Sequence, residues 1–242
     1  MIISHSRRFI FVHIHKTGGD SVATALRPVL NASDVVLTND WHDWLTKFGP
    51  SRDRPELTQL RKHSPARAIA AVVPPEMWDG SFKFAFVRHP VARTVSLYKY
   101  AARKAEERRR LLPRNIWYLT PPGRSGDPLR WHSVRAYLET STFSEFIRHP
   151  LLDQDLAMSP QWLSLSAGTG DMLVDFVGRF ESLQQDFDHI LERIDVARLT
   201  LGWQNASRGR GETVVSSEDR AYLAQRFEDD FVHFGYDPSQ DS

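Results

Sequence analysis

Residues 15 to 21 read His-Lys-Thr-Gly-Gly-Asp-Ser, and their types suit the holding of an anion. Lys16 supplies a full positive charge, Thr17 and Ser21 supply hydroxyl donors, and Gly18 and Gly19 let the main chain approach a ligand closely. If a helix starts here, its first N–H groups and the positive end of its dipole gather at the same point, which favours a phosphate. A plain glycine turn with an exposed lysine is the alternative these residues leave open. A Walker A loop places its lysine after the glycines, whereas Lys16 precedes them, and this order disfavours an ATPase or GTPase. A second set, Arg88 and Ser96, offers a cation and a hydroxyl separated by about two helical turns.

Both sets need a scaffold, and the hydrophobic pattern supplies one. Phe9, Ile10, Phe11, Val12 and Ile14 form a short apolar run of the kind found in strands buried on both faces of a parallel sheet. After the glycines the period changes: Val22, Leu26, Val29 and Leu30 recur at helical spacing until Pro28 kinks or ends the helix. Phe82–Val87 repeats the grammar, with Pro90 suited to a first helical position and Val91, Val95, Tyr98 and Ala102 as the apolar stripe. Leu173–Val177 forms a third copy, with residues 178–181 as its turn and Leu183, Phe187, Ile190, Leu191 and Ile194 as a helical face. Three strand-turn-helix units predict an α/β fold with a central parallel sheet flanked by helices. Ligands of such sheets bind beyond the carboxyl ends of the strands, so Lys16 and Arg88 would face one crevice, and a ligand with two separated phosphates would explain both. Ser216 with Asp219 three residues on predicts a capping box, opening a helix that buries Leu223, Phe227 and Phe231.

Composition sets outer bounds. With 41% hydrophobic residues among 242, the chain can bury a substantial core, and one domain is the default. Thirty-one Lys and Arg against 30 Asp and Glu leave a net charge of +1, so no global field draws the chain to nucleic acid or a membrane. The absence of cysteine excludes disulfides, thiolate metal sites and cysteine nucleophiles. The Phe9–Ile14 run is too short for a membrane span and has no cleavage-site pattern behind it, which predicts a cytoplasmic protein. Residues 103–130 differ in character: a charged stretch reads as a solvated helix extension, and the Pro- and Gly-rich stretch after it as a loop bordering a substrate cleft.

"FVHIHKTGGDS" at 11–21 resembles the 5′-phosphosulfate loop of sulfotransferases, and "FKFAFVRHPVARTVSLY" at 82–98 resembles their 3′-phosphate motif. "VDFVGRFESLQQDF" is similar to a third sulfotransferase block, and the closing "FEDDFVHFGYD" resembles the end of the catalytic domain in the carbohydrate branch, sulfotransferase family 2 of the heparan and chondroitin type, which implies a bacterial member of that branch. The resemblance runs from about residue 9 to 100 and from 174 to 237. It implies a three-layer fold related to P-loop NTPases, in one domain over 1–242 with a substrate-side insertion at about 103–165. It also implies 3′-phosphoadenosine 5′-phosphosulfate (PAPS) as sulfuryl donor and a carbohydrate hydroxyl as acceptor, with no metal and no nucleic-acid partner.

Carried over position by position, the resemblance sets Lys16, Thr17, Gly18, Gly19, Asp20 and Ser21 around the 5′-phosphosulfate, and Arg88 and Ser96 at the 3′-phosphate. Arg208 and Gly209 fall where the family lays a loop over the nucleotide. Lys16 would stabilise the leaving phosphate, and His63, between the two donor motifs, would act as base, with His42 and His132 as rivals. Its ordinary pKa near 6.5 suits proton abstraction around neutrality. The chain departs from the family loop at His15, where proline is common, and at Asp20, where threonine is common; Asp20 puts a carboxylate beside an anion site. His13 and His15 fall on one face of a strand without a third metal ligand, which favours packing or supporting roles. Tryptophans 41, 44, 117, 131 and 162 read mainly as core, with sugar stacking as the other use. A nucleotide kinase and a noncatalytic nucleotide- or glycan-binding protein are the alternative functions.

Overall fold

The computed structural model describes residues 1–37, 57, 59–111, 129, 131–168, 170–202 and 213–240. These group into two compact units, one of Met1–Arg88 with Gln161–Gln204 and one of His89–Pro160 with Asn205–Ser242.

The first unit is built on a five-stranded sheet. Its strands are β1 (Ile2–Ser4), β2 (Phe9–Val12), β3 (Val35–Val36), β4 (Phe82–Val87) and β5 (Phe176–Arg179), in the order β3-β1-β2-β4-β5. The β2, β4 and β5 strands are parallel, with Phe11 opposite Phe84 and Phe86 opposite Gly178. The sheet is mixed rather than wholly parallel, because β1 runs antiparallel to both β2 and β3. The third predicted strand begins later than its apolar run. Asp175 ends the approach by donating its N–H to the Lys83 carbonyl at 2.8 Å while its carboxylate accepts from the Lys83 N–H at 2.7 Å. Gly178 and Arg179 then belong to β5 instead of its turn, and any side chain at Gly178 would strike the Phe86 ring.

Helix α1 (Gly19–Leu26) follows β2, and the short α2 (Ala66–Ala70) and α3 (Pro75–Asp79) precede β4. Pro28 acts as predicted: α1 stops at Leu26 and a 3₁₀ turn covers Arg27–Val29. The core is a phenylalanine stack, with Phe84 centred 5.8 Å from Phe9 and 5.2 Å from Phe11, covered by Val22 and Leu26 of α1 and by Phe187, Ile190 and Leu191. Each such buried side chain contributes roughly 1.5–3 kcal/mol, so this core can hold the adjoining loop in a costly conformation.

The second unit is helical. Its long helix α4 (Pro90–Leu111) begins on Pro90 as predicted. Tyr98 of α4 packs edge-on against Tyr137 of α5 (His132–Glu139) and against Phe143 and Phe146 of α6 (Phe143–Ile147). The charged end of α4 is not wholly solvated, since Arg108 is buried. The predicted capping box is present: Ser216 Oγ accepts from the Asp219 N–H at 3.1 Å and the Asp219 carboxylate accepts from the Ser216 N–H. The helix it opens ends at Arg226, and a second helix takes over at Glu228, with Leu223, Phe227 and Phe231 all buried. No helix among the described residues is long and apolar enough to cross a membrane.

Candidate active site

The site grows from the carboxyl ends of two neighbouring parallel strands. Lys16 follows β2 by four residues and Arg88 follows β4 directly, so the sheet brings both to one edge. Lys16 and Arg88 thus both lie beyond the carboxyl ends of adjacent parallel strands.

The loop after β2 is unusual in its backbone. Lys16 has φ 67° and Gly18 φ 80°. A left-handed lysine costs on the order of 1–2 kcal/mol, and left-handed residues in a turn are the means by which successive N–H groups are directed at an anion. Gly18 is required here on two counts: its φ, and the Leu183 and Phe180 side chains that a Cβ would meet at 2.9 and 3.1 Å. At Gly19 a Cβ would collide with the His13 ring. Glycine at 19 thus lets the buried His13 imidazole lie against the start of α1. The Thr17 hydroxyl is turned inward, donating to the Ile14 carbonyl at 3.1 Å, so it braces the turn. Ser21 is buried in the first turn of α1.

A histidine cluster lies beside this loop. His63 stacks on His15 with ring centroids 3.5 Å apart and meets the edge of His13 at 4.7 Å. Its Nδ1 lies 2.8 Å from the His13 carbonyl oxygen. A carbonyl only accepts, so Nδ1 carries the proton, and neutral His63 keeps its lone pair on Nε2. Burial, then the neighbouring His15 and Lys62, push the His63 pKa well below the ordinary 6.5, against a smaller opposing pull from the His13 carbonyl. His13, 4% exposed, is also held well below 6.5, by burial first, with the Met1 amino group, His63, Lys62 and His15 acting the same way. His13 and His63 are thus neutral imidazoles, kept neutral by where they sit.

Arg88 is fixed differently. Its N–H donates to Gln161 Oε1 and its carbonyl accepts from Gln161 Nε2, both at 2.9 Å, while its guanidinium lies 4.0 Å from the centre of the Phe180 ring. Phe180 therefore touches both the Gly18 turn and Arg88. Neither Gln161 nor Phe180 was marked by residue spacing. Gln161 has no local signal at all, and Phe180 had only its position after a predicted strand.

Asp20 is half exposed and ion-paired: Lys62 Nζ lies 2.5 Å from its Oδ1. Ser96 stands on α4 in the second unit, and His132 opens α5 there. His42, Arg208 and Gly209 lie outside the described residues, as do tryptophans 41, 44 and 117. Of the other two, Trp162 is buried and Trp131 partly so. No group of three or more His, Asp or Glu able to hold a metal occurs among the described residues.

A family model described as "Sulfotransferase family" matches residues 1–237. No curated protein and no solved structure gives a significant match.

Proposed function

Given that the chain belongs to the sulfotransferase family, we propose that it moves a sulfuryl group from PAPS to a carbohydrate hydroxyl, with His63 as base and Lys16 stabilising the leaving phosphate. The observation that carries this reading is the tautomer of His63, whose Nδ1–H is committed to the His13 carbonyl and whose Nε2 is left as the proton acceptor.

The residues present fit a nucleotide phosphorylated at both ends. The left-handed Lys16 and Gly18 turn offers main-chain N–H groups and an ammonium to a 5′-phosphosulfate, and Arg88 at the end of the adjacent strand offers a guanidinium to a 3′-phosphate. Ser96, Arg208 and Gly209 complete the nucleotide contacts in this reading, along with Thr17, Gly19, Asp20 and Ser21, the last four chiefly through the main chain. PAPS supplies an activated sulfuryl group whose transfer leaves a 5′-phosphate. His63 Nε2 takes the proton from the acceptor hydroxyl, and Lys16 opposes the negative charge that develops on the departing oxygen. Residues 1–242 act as one sulfotransferase domain, in the cytoplasm, with the region around 103–165 on the acceptor side.

Labelled sulfate transfer from PAPS to a panel of unsulfated polysaccharides tests the reading, and the expected result is incorporation into uronic acid-containing chains. Tight binding of ATP with no binding of the desulfonated nucleotide would refute it.

A further inference from the structure

The turn that carries His63 is pinned at a second point. Ser64 donates its N–H to the Arg61 carbonyl at 3.0 Å and its Oγ accepts from the Arg61 N–H at 2.8 Å, so Lys62 and His63 are the two central residues of a closed turn. One of them reaches the strand end: His63 lies on the His13 carbonyl and the His15 ring. The other reaches the helix: the Lys62 ammonium sits on the Asp20 carboxylate in the first turn of α1, its side chain 11% exposed against 49% for the aspartate. Asp20 follows Gly19, on which the His13 ring packs, and its Oδ1 is 3.9 Å from His13 Nε2.

Asp20 is otherwise out of place, because a bare carboxylate beside a phosphosulfate repels its ligand. A lysine at ion-pair distance cancels that charge. The same contact ties the turn bearing the imidazole to the turn bearing the anion site.

We propose that Asp20 and Lys62 are positioning residues for sulfuryl transfer: their ion pair clips the 61–64 turn to the start of α1 and so seats the His63 imidazole on the His13 carbonyl. The proposal rests on the reading of His63 as the base. The charged and titratable groups around His63 are His13 and His15 from the strand end, Lys62 and Asp20, and the Met1 amino group.

Histidine ¹⁵N spectra of the full chain test this without any acceptor, because they report the tautomer and the titration of His63 directly. In the unchanged protein His63 appears as the Nδ1–H form. In Asp20→Asn and Lys62→Met the ratio of that form to the Nε2–H form falls by about tenfold, as expected for loosening one hydrogen bond, and the double variant falls no further than the worse single one. Asp20→Glu and Lys62→Arg restore it. An unchanged His63 tautomer and titration in both single variants overturns the proposal. So do losses that add in the double variant, which would mean two separate effects, and a loss of nucleotide affinity with His63 undisturbed, which would make the pair donor ligands. Failure of the base reading is distinct: His63→Ala would then keep sulfate transfer intact while the spectra still tie His63 to Asp20 and Lys62.

Discussion

Two clusters of buried ionisable groups solve the problem of burial in opposite ways. In the first unit, His13 and His63 lose their charge: burial and nearby cations hold both well below the usual histidine range. In the second unit, charge is kept. Asp219 is pulled upward by burial, yet its hydrogen bonds to Arg148, Ser144 and Ser216 bring it net below the ordinary carboxylate value, and Arg148 is raised, first by its bond to Asp219. Fully matched ion pairs of this kind fix a structure, whereas a titratable group held away from its ordinary pKa beside a binding loop is poised for chemistry. The difference supports the proposal that the histidine cluster, and not the larger set of charges around Asp219, is where protons move.

The comparison breaks most directly at His63. His63→Ala lowers turnover of labelled PAPS by about 10²- to 10⁴-fold, the range for removing a general base, while calorimetry with 3′,5′-adenosine bisphosphate shows affinity retained. Turnover near that of the unchanged protein removes His63 from the mechanism. The matched cluster responds in another currency. Asp219→Ala leaves Arg148 without its buried partner and removes the capping box, a loss of about 3 kcal/mol. In a chain of this size that lowers Tm by about 6–12 °C, read by calorimetry. A Tm within a degree of the original would mean the network contributes nothing net. Arg88→Ala sharpens the distinction between holding and reacting: it weakens binding of 3′,5′-adenosine bisphosphate by about 1.5–3 kcal/mol, roughly 10- to 150-fold. Unchanged affinity by calorimetry contradicts the assignment of Arg88 to the 3′-phosphate.

How much of this was legible in the sequence depended on distance along the chain. Phe9–Val12 and Phe82–Val87 were readable because each central strand is buried on both faces and so is apolar, Lys83 excepted. The capping box was readable because its two residues are three apart. β1 and β3 were not, since strands of three and two residues carry no period and are fixed by their neighbours. At the site, Lys16, Gly18 and Gly19 were visible as a local motif. The clasp of Gln161 on Arg88 spans 73 residues and follows no spacing rule. Asp20 shows the limit best: as a letter in the loop it looked like a misplaced charge, and only the fold supplies Lys62, 42 positions later, to balance it.

The smallest effect is the most diagnostic, because it depends on the sign of a shift. His63 must be neutral to accept a proton, and its folded pKa lies well below 6.5, so the acid limb of kcat/KM falls below pH 6.5 and turnover is flat through neutrality. Lys62→Met removes one of the charges that depress this pKa and moves the limb upward. Stability follows the same groups. For a histidine whose folded pKa is below its unfolded one, the unfolded chain binds more protons between the two values, so stability is complete above pH 6.5 and declines as pH falls below it. His13, buried, takes part in that decline. The Asp219 network loses nothing there, since its carboxylate titrates below the ordinary 3.8. Denaturant melts at pH 7.5, 6.5 and 5.5 should therefore agree for the first two and fall at the third. In His13→Gln the fall between pH 6.5 and 5.5 is reduced; an equal fall in that variant would place the acid sensitivity elsewhere than in the neutral histidines.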